Sequence, residues 1–205
     1  MIQKQELARR FLNACDCVIA AEEELTKIDA QFGDADHGFT MAKVCNAIKA
    51  AIEESDGGIQ TMLDDMAMAV MAINGGSAVP LWNTWLDGMQ EGAEDTEQTD
   101  IAGIQAIFAR AFEELDEMSG AKVGDKTMMD ALIPASEAIA AYEGADVQAL
   151  FAAAAEAAAA GAENSKNFPS KFGRAKSYGA KTIGTPDAGA VSMACFFRGL
   201  ANTSF

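Results

Sequence analysis

The chain predicts an all-α fold of eight helices, and three observations predict it. Apolar residues recur at three- and four-residue steps along nearly the whole length, as one buried helix stripe requires. No stretch alternates apolar and polar residues for long, so strands are not needed. Helix breakers gather at a few junctions: only four prolines occur in 205 residues, and Pro80, Pro169 and Pro186 lie beside glycine-rich or polar segments.

The first helix carries its stripe through Leu7, Phe11, Cys15, Val18, Leu25 and Ile28, and ends near Asp29. The second reads Met41, Val44, Ile48, Ile52, and the third Ile59, Met62, Met66, Val70, Ile73. Leu81, Trp85 and Met89 mark a fourth, followed by Ile101, Ile104, Phe108, Phe112 and Leu115. Met129, Leu132 and Ile139 form the sixth, in which Pro134 removes an N–H donor and is expected to kink the helix. Val147, Leu150, Phe151 and Ala154 open an alanine-rich seventh, and Val191, Cys195, Phe196 and Leu200 the last. Segments 54–58 and 92–99 read as ordinary solvated loops.

Size and charge narrow the function. A mass of 21.5 kDa implies a folded surface of roughly 9,200 Å² against about 31,000 Å² unfolded, enough for one domain over residues 1–205 with a real core. The formal charge of −16 repels phosphate backbones and anionic lipid, which argues against a nucleic-acid or membrane-surface binder. Any phosphorylated ligand would need cations to mask the local carboxylates. The N-terminal stretch has no apolar targeting core, and no run of about 18 apolar residues occurs, so a cytoplasmic chain is expected. Cys15, Cys17, Cys45 and Cys195 sit mostly in helical patterns beside apolar neighbours and read as buried reduced thiols; with a single histidine in the chain they make no zinc pattern.

Four junctions collect the chemistry. Asp29, Asp34 and Asp36 fall in KIDAQFGDADHGFTM, beside the single His37. Carboxylates this close repel one another unless a cation sits among them, and oxygen donors on an irregular glycine turn suit Mg²⁺. Capping and turn formation explain the same residues equally well. Gly75-Gly76-Ser77-Ala78-Val79-Pro80 precedes a helix, where backbone N–H groups can approach an anion, although a tight interhelical turn fits it as well. In Gly124-Asp125-Lys126-Thr127-Met128-Met129-Asp130, Asp125 is a candidate cap for the next helix. The segment from Gly173 to Gly189, with Lys171 just before it, concentrates Lys171, Arg174, Lys176 and Lys181 on a very acidic background. That invites an anionic ligand, or is a solvated charge run.

The joint order of these segments resembles the nucleotide-binding L subunit of dihydroxyacetone kinase over almost the whole chain. The segments that carry the likeness are Leu25–Asp29, Gly33–Gly38, Gly75-Gly76, Gly124–Met128, Gly173–Ala175, Ile183-Gly184 and Asp187–Ala190. The resemblance implies an eight-helix antiparallel barrel with nucleotide and metal at one end. It implies that Asp29, Asp34 and Asp36 hold two Mg²⁺ ions, and that His37, Gly38, Phe39, Thr40, Ser77 and Ala78 touch the phosphates of ADP or ATP. Gly120, Met128, Arg174, Asp187, Ala188 and Gly189 would line the rest of the nucleotide pocket. Partners implied are a K-type subunit that binds the ketose covalently and an M-type phosphohistidine subunit that recharges bound ADP from phosphoenolpyruvate; a homodimer stays open. ATP-dependent relatives usually fuse K and L in one longer chain.

The chain departs from the family pattern in its phosphate loops. Ser77-Ala78-Val79 stands where the family has any residue, then Ser, then Gly, and a valine disfavours positive φ. Ser177-Tyr178 is displaced by Lys176, and Pro186 precedes Asp187 instead of following it. Three functions fit: a phosphoryl donor to a small ketose, a kinase component with exchangeable ATP, and a nucleotide-binding regulator that no longer transfers phosphate.

Overall fold

In the computed structural model, which describes residues 1–202, helix dominates as the periodicity predicts. The α-helices are α1 (Lys4–Ala20), α2 (Glu22–Asp29), α3 (His37–Glu54), α4 (Ile59–Met71), α5 (Ala78–Glu91), α6 (Ile101–Ser119), α7 (Met129–Ala140), α8 (Val147–Asn164) and α9 (Ala188–Ala201). The ring α1–α3–α4–α5–α6–α7–α8–α9 closes on α1, each helix packing on the next in alternating direction. Eight helices thus make the barrel, and α2 is an extra segment packed on α3.

The extra helix arises because the first predicted stretch breaks at Ala21, whose φ of −91° and ψ of 3° leave the helical region. The apolar stripe runs on through Leu25, so periodicity alone does not reveal the break. After it, α2 lies so close to the start of α3 that a Cβ on Gly38 would stand 2.1 Å from the Glu22 carbonyl. Pro134 sits within α7 without ending it. Its missing N–H leaves the Asp130 carbonyl without its usual helical partner, and Gly161 of α8 packs against that carbonyl. Segment 92–99 is more than a solvated loop. Gln98–Thr99 (β2) pairs antiparallel with Ile2–Gln3 (β1), Ile2 opposite Thr99, and ties the N-terminus to the end of the barrel away from α2.

Large side chains fill the interior. Trp85 makes ring contacts with Trp82, Phe108, Phe196 and Phe197 at centroid distances of 5.5 to 6.2 Å, and all five residues are at most 2% exposed. Gly199 lets α9 approach α1, since a Cβ there would meet Ala14 Cα at 2.3 Å. Cys15, Cys45 and Cys195 are buried free thiols, while Cys17 is half-buried. Among the described residues no helix is long and apolar enough to cross a membrane.

Candidate metal and nucleotide site

Alternating helix direction brings four connections to one end: 30–36, 72–77, 120–128 and 165–187. They surround a cavity of about 720 Å³. The predicted residues Asp29, Asp34, Asp36, His37, Thr40, Ser77, Ala78, Met128, Arg174, Asp187, Ala188 and Gly189 all line it. Gly38, Phe39 and Gly120 do not. Gly38 faces α2 as described; Phe39 is exposed, with the Lys43 ammonium 4.2 Å from its ring centre. Gly120, at φ 62°, is the left-handed cap that ends α6, between the lining residues Ser119 and Ala121.

Each of the three aspartates offers an oxygen, and these atoms lie within 4.8 Å of one another. Their local roles differ. Asp29 Oδ2 accepts from the backbone N–H of Asp36 at 3.1 Å and of His37 at 3.4 Å, so it organises the start of α3 from a distance. Asp36 occupies the N-cap position of α3, yet its side chain makes no cap bond. Capping therefore accounts for Asp29 alone. Asp34 pairs with Arg174 at 2.6 Å. Burial, and then the neighbouring charges of Asp34 and Asp29, push the Asp36 carboxyl up, as expected of carboxylates held together without enough positive charge. The turn leaves no room for a side chain at Gly33, where a Cβ would lie 2.0 Å from Asp29 Oδ1. Ala35 takes a φ of 61° to complete it.

The glycine pair faces this cluster: a Cβ on Gly76 would stand 3.6 Å from Asp36 Oδ2. Ser77 is exposed just before α5. Val79 lies inside α5, 6% exposed and packed near Gly75, so no positive φ is asked of it. Pro80 falls in the first turn of α5, where its missing N–H costs no helical bond. His37 turns inward, with Nε2 3.1 Å from Ser192 Oγ on α9, and burial pushes its imidazolium pKa down.

The third junction folds differently from expectation. Asp130, not Asp125, organises it: its two oxygens accept from Gly124 N and Thr127 N, both at 2.7 Å. Asp125 instead accepts from Lys122 N at 2.8 Å and the Lys171 ammonium at 2.6 Å. The basic segment is likewise divided. Lys171 and Arg174 are paired, whereas Lys176 and Lys181 have no ion pair among the described residues. Asp187 caps α9 by accepting from Ala190 N at 2.8 Å. Burial pushes its carboxyl up to about 7 against the opposing pull of that bond.

Sequence reading missed several lining residues, among them Phe32, Lys126, Thr127, Ser170 and Thr185. Phe32, Lys126, Thr127 and Thr185 lay within segments already singled out; Ser170 had no local signal.

The helical barrel has solved counterparts. The dihydroxyacetone kinase of C. freundii, solved with AMP-PNP and Mg²⁺, superposes with a TM-score of 0.70 at 24% identity, over 97% of this chain and 34% of that one. The chain belongs to the DAK2-domain family, whose model matches residues 31–202. It is 36% identical over 201 residues to the D-erythrulose kinase of Mycolicibacterium smegmatis, covering 96% of this chain and 35% of that protein. The ADP-binding subunit DhaL of the Escherichia coli PEP-dependent dihydroxyacetone kinase is 27% identical over 198 residues, covering 93% of each chain. This chain thus spans about a third of the length of the erythrulose kinase and nearly all of the DhaL subunit.

Proposed function

We propose that this chain is the nucleotide-holding, phosphoryl-donating component of a small-ketose kinase. The convergence of Asp29, Asp34 and Asp36 at the mouth of the cavity carries the reading. The donor set fits a hard divalent cation: three carboxylates, of which Asp36 has no capping duty, held together although like charge opposes it. Two Mg²⁺ ions held there would neutralise carboxylates and nucleotide phosphates together and stabilise the transferring group's charge.

The chain's own residues then divide the work of binding. Ser77 offers a hydroxyl beside the cluster, and Arg174 lies within reach of the same carboxylates. Met128, Asp187, Ala188 and Gly189 form the wall that receives the rest of the nucleotide. His37 is held against α9 by its contact with Ser192, and burial disfavours its charged form, so its part is to orient. Catalysis of this kind is mostly positioning and electrostatics. The acceptor ketose, dihydroxyacetone or a close relative, belongs on a K-type subunit, and an M-type phosphohistidine subunit would recharge ADP in place. The likeness to the ADP-binding DhaL subunit of a PEP-dependent kinase supports that arrangement.

A second reading rests on the 36% identity to a much longer erythrulose kinase: exchangeable ATP as donor and a four-carbon ketose as acceptor. For the regulator reading, the positive-φ objection at Val79 does not arise, because Val79 is an ordinary helical residue.

Native mass spectrometry of the purified chain separates the two. ADP and Mg²⁺ that survive dialysis are expected for the phosphoenolpyruvate-driven donor, and free exchange with ATP for the second reading. A chain that binds neither nucleotide in excess Mg²⁺ contradicts both.

A further inference from the structure

Lys126 has no task in the binding scheme, yet it is costly to hold. It is 5% exposed and takes a φ of 61°, a left-handed conformation that a non-glycine residue keeps only when its surroundings over-determine it. Its ammonium donates to the Ser165 carbonyl at 2.8 Å and to the Thr185 carbonyl. Those carbonyls stand at the two ends of the long excursion between α8 and α9, the strap that carries Arg174. Burial disfavours the ammonium, opposed by these two bonds and by the nearby carboxyl groups of Asp187 at the start of α9 and Asp130 from α7.

The strap closes around that point. Gly184 N donates to the Lys166 carbonyl at 2.8 Å, Asp187 N to Ser165 Oγ at 2.9 Å, and Ser170 N to Thr182 Oγ1 at 2.9 Å. So closed, it lies along the acidic turn. Arg174 reaches Asp34, the Phe32 and Tyr178 rings stand 5.2 Å apart, and Thr185 Oγ1 donates to Gln31 Oε1 at 2.9 Å.

We propose that Lys126 is a positioning residue: by pinning both ends of the strap it pre-assembles the Arg174 side of the cavity before any ligand arrives. The consequence for ligand affinity rests on the Mg-nucleotide reading; the pinning itself does not. Lys126→Met keeps an unbranched apolar stem of similar reach and removes the donor.

Hydrogen exchange without nucleotide tests the pinning directly. In the unaltered protein the amides of Ser170, Gly184 and Asp187 are expected to be slowed by roughly a hundredfold or more relative to free chain. In Lys126→Met that protection should fall by about tenfold or more, with the α1 amides unchanged. Unprotected strap amides in the unaltered protein, or unchanged protection in the variant, overturn the proposal. The first measurement stands even if the variant does not fold.

Binding of Mg-ADP supplies the readout that a merely structural lysine would not move. Arg174→Ala should weaken binding clearly in the normal background but by less than about twofold in Lys126→Met, because a loose strap no longer presents the arginine. Lys126→Arg, which restores charge and donors, should recover part of the coupling. Equal losses in both backgrounds overturn the proposal. Failure of the unaltered protein to bind Mg-ADP would count against the nucleotide reading, and the exchange experiment would still decide the role of Lys126.

Discussion

The two ends of the barrel join helices by different rules. At the end away from the cavity, segments 55–58, 92–100 and 141–146 reverse the chain with no residue in the left-handed region. At the cavity end lie all the described residues with positive φ: Ala35, Gly120, Gly124, Lys126, Gly173, Gly179 and Gly184. The far end has only to turn the chain and satisfy its backbone, which caps such as Asp100 and Asp146 and the two-residue strand pair accomplish. The cavity end also holds like charges together and buries a lysine, and its backbone is bent to suit those side chains. Stability and binding chemistry thus sit in separable parts of one molecule, and each substitution should affect mainly one of them.

The largest effect expected is on stability. Trp85→Ala empties the aromatic centre and should cost about 3–5 kcal/mol in urea unfolding, with Mg-ADP affinity of the folded fraction nearly unchanged. A parallel collapse of affinity would show that the two parts are not separable.

Next comes the acidic turn. Asp34→Asn combined with Asp36→Asn should weaken Mg-nucleotide binding by about a hundredfold or more, roughly 2.7 kcal/mol. The melting temperature should hold or rise, because repulsion is removed along with the ligands. Calorimetric titration giving wild-type affinity would refute the metal assignment.

Asp187 links the two parts through pH. Its folded carboxyl, at about 7, binds a proton more tightly than the unfolded one near 3.9. Protonation therefore favours the folded chain, and stability should fall as pH rises from about 4 to about 7 and level off above. Partial solvent access reduces the size to about 2 kcal/mol. In Asp187→Asn, whose side-chain oxygen can still accept from Ala190 N, this slope should vanish. A slope of the same size in the variant would assign it to another group.

Smaller effects sharpen the contrast. Arg174→Ala should weaken Mg-ADP binding by about 1.5 kcal/mol if the guanidinium reaches phosphate, with unfolding unaffected. Asp100→Ala, which removes the α6 cap at the far end, should do the reverse: about 1 kcal/mol of stability lost and no change in binding. Equal behaviour of these two variants in both assays would erase the distinction between the ends.

What the sequence determined by itself was whatever is written locally. Helix faces were legible from Leu7 to Leu200 because a three-to-four-residue apolar rhythm is a property of neighbouring residues. The acidic turn was legible too, since Asp29, Asp34 and Asp36 lie within eight positions. Tertiary structure decided most of the rest. The break at Ala21 leaves the stripe intact and exists so that α2 can lie on α3. Asp130 rather than Asp125 organises its loop through bonds only six and three positions long, a local choice that cap preference alone did not single out. The strap across the cavity depends on Lys126 meeting carbonyls at positions 165 and 185, and Arg174 meeting Asp34. Contacts between residues tens to more than a hundred positions apart leave no periodicity in the chain; only the closing of the barrel ring brings such groups within hydrogen-bonding distance.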